Sequence, residues 1–226
     1  KDENNHREGS EELARQIGQL LEGEDYRASG FHVLVVGLGN SSVTPDSLGP
    51  RVLNNLQVTR HLKVQYGDEF WNGRSMPVIS GIVPGVMAQT GMESAEILKG
   101  IIHETKPNLI IAIDALAARS VKRLGTTIQL TDTGIHPGSG VGNHRHSLTR
   151  ESLWVPFMAI GAPTVVVAAA MVHDTVYAVI AALPMGMETN GQGNSAGRIS
   201  YEEHYYLIRV LTEPAFGSLY VPITDL

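Results

Sequence analysis

Two aspartates have the setting to do chemistry. Asp46 lies in Phe31 to Pro50, FHVLVVGLGNSSVTPDSLGP, where the apolar run Phe31 to Val36 gives way to Gly37, Gly39 and a polar loop. That loop delivers one carboxylate just ahead of a helix-like segment. Asp114 lies in Asn108 to Ala118, NLIIAIDALAA, a second apolar run carrying an acid towards its end. In an open parallel sheet, side chains at the carboxyl ends of strands line the crevice where ligands bind. If these two strands are neighbours, their carboxylates converge. Two carboxylates in one dry cleft resist ionising together: the charged one can activate water, and the neutral one can protonate a leaving group. That is the logic of an acid protease. The competing readings are structural, because an aspartate before Leu48-Gly49-Pro50 suits a helix N-cap and one after a strand suits a turn.

Other reactive side chains form weaker patterns. Gly37-Leu38-Gly39-Asn40 has the start of a phosphate-binding turn, but serine stands where a dinucleotide fingerprint needs its third glycine, so a tight strand-to-loop turn is the simpler reading. His136, His144 and His146 are close in sequence, and imidazoles with two carboxylates could bind a divalent metal. Their spacing matches no compact ligand motif, and solvated surface histidines beside Arg145 are the plainer reading. Ser41, Ser42 and Ser139 lack the Gly-x-Ser-x-Gly setting of a nucleophile elbow. His103 and His173, on helical segments, read as packing residues with a hydrogen-bond partner.

The elements that must position the aspartates alternate. Lys1 to Gly9 reads as a frayed polar start, and Glu12 to Leu21 as an amphipathic helix with Leu13, Ile17, Leu20 and Leu21 at helical spacing. The first strand and the Asp46 loop follow. Leu48 to Leu62 reads as one helix opened by Gly49-Pro50, Val78 to Val83 as a strand, and Glu93 to Thr105 as a helix stopped by Pro107. The Asp114 strand comes next. Strands alternating with helices of this length imply crossover connections, and hence an α/β fold with a mainly parallel sheet flanked by helices on both faces. Beyond it, Thr126 to Leu130 and Val155 to Ile160 read as strands around the glycine-rich loop Thr131 to Gly142, and Thr164 to Leu183 as a buried helix. Met185 to Gly197 reads as a flexible linker, Ser200 to Leu211 as a helix and Gly217 to Val221 as an extended tail. A single domain over 1–226 is expected, with 1–30 as an extension and 198–226 as its closing helix and tail.

Composition narrows the class. At 226 residues with 42% hydrophobic and 18% charged residues, the chain can build one sizeable core. A net charge of −6 gives no basic footprint for direct nucleic-acid binding. His173 and Asp174 interrupt the longest apolar stretch, which argues against a membrane span. The absence of cysteine excludes disulfides, thiolate metal sites and cysteine nucleophiles, and fits a reducing, cytoplasmic setting. No secretory signal is visible at the start, which is not Met.

The strings NSSVTPDSLGP, SGIVPGVMAQTGME, IAIDALAARS and TTIQLTDTGIHPGSGVGN closely resemble the spore germination protease family, endopeptidases that degrade small acid-soluble spore proteins. The resemblance runs in order from about Phe31 to Thr175, and more loosely over Tyr201 to Val221. It implies an atypical aspartic endopeptidase on a hydrogenase-maturation-protease-like sheet, with the family's T-P-D-x-L-G-P and I-D-A-L-A aspartates at Asp46 and Asp114. It also implies a zymogen that removes its own N-terminal segment, a homotetramer, and action in the spore core. The nucleic-acid link is then indirect, through substrates that coat DNA. Asn40, Gly85, His136, Gly138 and Gly140 are the candidates to shape the substrate cleft, and no metal or cofactor is expected. The chain departs from the family at Pro163 to Ala168, where Val167 replaces an expected acid, and Met185 to Gly197 is shorter than the family's corresponding region. Two alternatives stand beside this reading: a metal-assisted, maturation-type peptidase using Asp46, Asp114 and a histidine, and a non-catalytic peptide-binding module.

Overall fold

A computed structural model of the chain describes residues 3–23, 25–26, 28, 30–67, 78–138, 146–182, 201–216 and 220–222. The segment Met185 to Gly197, expected as a linker, lies outside them. The chain divides into two compact units. The first holds Lys1–Ala115 and Ile128–Gly161, the second Leu116–Thr127 and Ala162–Leu226.

The first unit carries the sheet that positions both aspartates. Strand β1 (His32–Gly37) pairs in parallel with β2 (Val78–Ile82) on one side and β3 (Leu109–Ala118) on the other. The strand order is β2-β1-β3-β5-β4, with β5 at Phe157–Val167 and β4 at Gln129–Thr131 pairing antiparallel. The sheet is therefore mostly parallel but mixed. Successive side chains of a strand point to opposite faces, and the core follows that alternation. Leu34, Val36, Ile110, Ala112, Phe157 and Ala159 gather on one face with Ala95 and Leu98 of a helix over Ser94–Thr105. Val33, Leu109, Ile111 and Met158 gather on the other with Ile17 and Leu21 at the end of helix α1 (Glu3–Leu20). Apolar residues on both faces explain why these strands read as continuous hydrophobic runs rather than as an alternating pattern.

The remaining helices of this unit are α2 (Leu48–Asn55), α3 (Arg60–Tyr66), α4 (Met87–Thr90), the Ser94–Thr105 helix, which is α5, and α6 (Arg150–Leu153). In the second unit, the end of β5 pairs antiparallel with β6 (Tyr220–Pro222), and α7 (Ala168–Ala182) and α8 (Tyr201–Phe216) follow the same core of Ala118, Val166 and Ala170. Among the described residues no helix is long and apolar enough to cross a membrane.

Three expectations about elements are corrected. Helix α1 begins at Glu3, within the stretch expected to fray. The helix expected over Leu48 to Leu62 is two helices, because Thr59 is bound to strand β2: its N–H donates to Ile79 O at 2.8 Å, and its Oγ1 accepts from Ile79 N at 2.9 Å. The strand expected to stop at Ile160 runs to Val167, where it pairs with β6, so the following helix starts at Ala168 and not at Thr164.

Candidate active site

The loop that carries Asp46 is curled tightly on itself. Asp46 N donates to Val43 O at 2.9 Å and Ser47 N to Thr44 O at 3.2 Å, closing a 3-10 turn over Thr44–Asp46. The half-buried Asp46 carboxylate is held from the side by the backbone N–H of Asn40, 2.8 Å from Oδ2. Only glycine suits position 39. Its φ is +112°, which side chains rarely adopt, and a methyl there would run into the Asp46 carbonyl. Asp46 is not the helix cap. The residue in that position is Ser47, whose side chain makes no capping bond to α2.

A second glycine brings Asp46 to the strand that carries Asp114. A methyl on Gly49, in the first turn of α2, would run into Leu38 O and stand 2.6 Å from Ile113 O. Leu38 N in turn donates to Ile113 O at 2.8 Å. The start of α2 thus lies directly on the carboxyl end of β1 and the middle of β3, with Asp46 three residues before Gly49 and Asp114 immediately after Ile113. Asp114 is half-buried inside β3, not in a turn after it, and its Oδ1 accepts from Ala115 N at 2.9 Å. Asp114, expected at the end of its strand, therefore stands midway along β3, beside the carboxyl end of β1 from which the Asp46 loop departs.

Of the cleft candidates, Asn40 and Gly85 join this surface. Asn40 Oδ1 accepts from Ser42 N at 2.9 Å and from Gln89 Nε2 at 3.1 Å. A methyl on Gly85 would stand 3.5 Å from Gln89 Oε1, so α4 links the turn after β2 to the Asp46 loop. Gln89 was not expected here. The string MAQT gives no periodicity to single it out, and the contact spans 49 residues. His136 is exposed and Gly138 half-buried; the segment before them is pinned by the Ile135–Leu148 backbone pair at 2.9 and 2.8 Å. No hydrogen bond among the described residues ties either to Asp46 or Asp114. Gly140 and His144 lie outside the described residues.

The remaining histidines have other work. His146, expected as a solvated residue, is exposed but paired: its Nδ1 lies 2.6 Å and its backbone N 3.1 Å from Oε2 of Glu93, the residue that caps α5 in a reciprocal box with Glu96. His103, expected to pack with a partner, is exposed. His173 is buried, stacked on Tyr177 at 6.3 Å and edge-on to Tyr205 at 5.9 Å. His32, at the opposite end of β1 from Asp46, is also buried, with Nε2 2.7 Å from Ser80 Oγ and Nδ1 3.2 Å from Thr105 O. Burial holds its imidazole below the ordinary value; the Thr105 carbonyl opposes that shift and the Arg60 charge adds to it. Among the described residues no group of three or more histidines and carboxylates stands where it could hold a metal ion.

Two half-buried carboxylates, one on the loop after β1 and one inside the neighbouring β3, can divide the labour of water activation and proton donation. A family model described as Germination protease matches residues 1–212. The germination protease of Caldanaerobacter subterraneus subsp. tengcongensis is 54% identical over 170 residues, which cover 74% of this chain and 51% of that one. That of Clostridium acetobutylicum is 46% identical over 194 residues, covering 85% and 59%. That of Bacillus subtilis is 54% identical over 143 residues, covering 63% and 38%. The chain thus aligns with about half the length of these curated relatives.

Proposed function

The chain belongs to the germination protease family, and from that premise we propose that it is an endopeptidase of spore germination in which Asp46 and Asp114 activate water against a peptide bond. The observation that carries this reading is the seating of Gly49 on Leu38 and Ile113, which brings the Asp46 turn to the part of β3 that holds Asp114. The charged member of the pair removes a proton from water as its oxygen bonds to the scissile carbonyl carbon. The neutral member protonates the carbonyl oxygen. When the tetrahedral adduct collapses, the C–N bond breaks, the leaving nitrogen takes up a proton, and a new carboxyl and a new amine remain. The proton belongs to the pair, which titrates as a unit.

In the same reading the substrates are small acid-soluble spore proteins, the setting is the spore core, and the protein matures from a zymogen and works as a homotetramer. These parts rest on the family strings quoted above. Val167 bears on the reading too: it ends β5 in register with Tyr220, so if the mechanism is complete in Asp46 and Asp114, valine there is compatible with activity. Incubating the protein with a small acid-soluble spore protein and weighing the products by mass spectrometry tests the proposal. Discrete fragments are expected from the wild type and none from Asp46→Asn. An intact substrate with the wild type would overturn it.

A further inference from the structure

Among the described residues, strand β2 is the last strand on its side of the sheet, and an edge strand leaves every second residue's N–H and C=O pointing outward. Val78 N donates to Phe31 O at 2.9 Å, on the β1 side, so Ile79 and Gly81 are the outward-facing residues. Ile79 is closed off, since Thr59 takes both its C=O and its N–H. Gly81 is exposed, and among the described residues nothing takes its outward groups. A groove of about 500 Å³ opens along this edge against α3, with Val58, Val64 and Ile79 as apolar lining and Arg60 and His61 as polar lining. From Gly81 the chain runs through Val83 and Pro84 to Gly85, whose neighbour Gln89 bonds the residue that holds Asp46. The open edge is therefore continuous with the candidate active site.

We propose that an extended segment of the protein substrate adds to β2 at Gly81, lays side chains into the groove and sets an acidic residue against Arg60. The proposal rests on the peptidase reading above and says how that site receives its substrate. Thr59 acts as a stop: it blocks pairing at Ile79 and so fixes where an added strand can begin. Strands lie about 4.8 Å apart, so an added strand runs about 10 Å from the β1 end where the Asp46 loop begins and about 14 Å from β3, which carries Asp114. An extended chain covers that in about three to five residues. The docked segment is thus about three to five residues from the bond that is cut, on one side of it only.

The test uses overlapping peptides from a small acid-soluble spore protein, each N-methylated at one position in turn. Binding to the Asp114→Asn protein is read by fluorescence anisotropy and cleavage by the wild type is read as kcat and KM. Losing one backbone hydrogen bond should weaken binding about fivefold to tenfold. The expected result is that loss at a single position, the residue that pairs with Gly81, about three to five residues to one side of the bond, with KM raised and kcat little changed. Arg60→Gln should give a similar loss only for peptides that carry an acidic residue in that segment. Peptides that bind with this pattern but are never cut would sustain the docking surface and overturn the peptidase reading. Peptides that are cut with no such sensitive position would overturn the docking surface alone. Neither binding nor cleavage would overturn both. Copies of the protein joined at this edge, separated by Arg60→Glu in sedimentation while peptide affinity stays unchanged, would give the edge to self-association and also overturn the proposal.

Discussion

Replacing Gly49 by alanine adds one methyl group, and the structure says where it must go. It would stand 2.6 Å from Ile113 O, about 0.8 Å inside the 3.4 Å at which ordinary contact begins, and it would also meet Leu38 O. Both obstacles are backbone, Leu38 just after β1 and Ile113 within β3, which cannot swing aside as a side chain would. The first turn of α2 must lift from the sheet by about 1 Å and take the Asp46 turn with it. Overpacking of this kind costs about 1–3 kcal/mol, and in a chain of this size each kcal/mol lowers Tm by about 2–4 °C. A misplacement of about 1 Å at a reacting group can cost about 100-fold in rate. Gly49→Ala should therefore remain folded at 25 °C, melt some 2–12 °C early, and lose about 100-fold in kcat on a protein substrate. Gly100→Ala is the control. It lies within α5 with nothing within 4 Å of the added methyl, and alanine there should stabilise by about 0.5–1 kcal/mol with activity unchanged. A Gly49→Ala protein with full kcat would refute the claim that this contact sets the position of Asp46.

Three further outcomes follow from the same structure. His32 has a folded-state value below its ordinary 6.5, so the unfolded chain binds the extra proton first; its share of stability is present above about pH 6.5 and is lost as pH falls through the folded value. Urea midpoints should drop from pH 7.5 to 5.5 and flatten in His32→Leu once its own lower stability is subtracted; an unchanged slope would contradict this. Ile110→Ala, which empties a fully buried site between β1 and β5, should cost about 2–5 kcal/mol in denaturant unfolding. Glu93→Gln weakens an exposed pair with His146 and one arm of the α5 capping box; chemical denaturation should find a loss of about 1 kcal/mol or less, and a larger loss would mean the pair anchors more than the loop end.

The sheet that carries both aspartates was readable because β1 and β3 are buried on both faces and so appear as unbroken apolar runs ending in polar residues. Asp46 was readable as an acid on the loop after β1, whereas Asp114, read as ending its strand, lies inside β3, which continues to Ala118. What fixes them was not readable. The contact of Gly49 with Leu38 and Ile113 is a close approach of backbones, which looks in sequence like any glycine before a proline. The hydrogen bond from Asn40 N belongs to the backbone and carries no residue signature at all. Leu48, Val52, Leu56 and Leu62 keep helical spacing straight through the break before Thr59, because the break is imposed by Ile79, 20 residues later. The extension of β5 to Val167 depends on β6, which pairs from more than 50 residues away. The His146–Glu93 pair is a contact of the same long-range kind.

The central claim is that Asp46 and Asp114 act together on a peptide bond. Its most direct test is the mass spectrum of a small acid-soluble spore protein after incubation with wild-type protein and with Asp114→Asn at equal folded concentration. The account predicts discrete fragments from the wild type and an intact substrate from Asp114→Asn, a loss of at least about 100-fold to 10,000-fold, with the melting curve of the variant showing an intact fold. The same fragments, formed by Asp114→Asn at the wild-type rate, would contradict it.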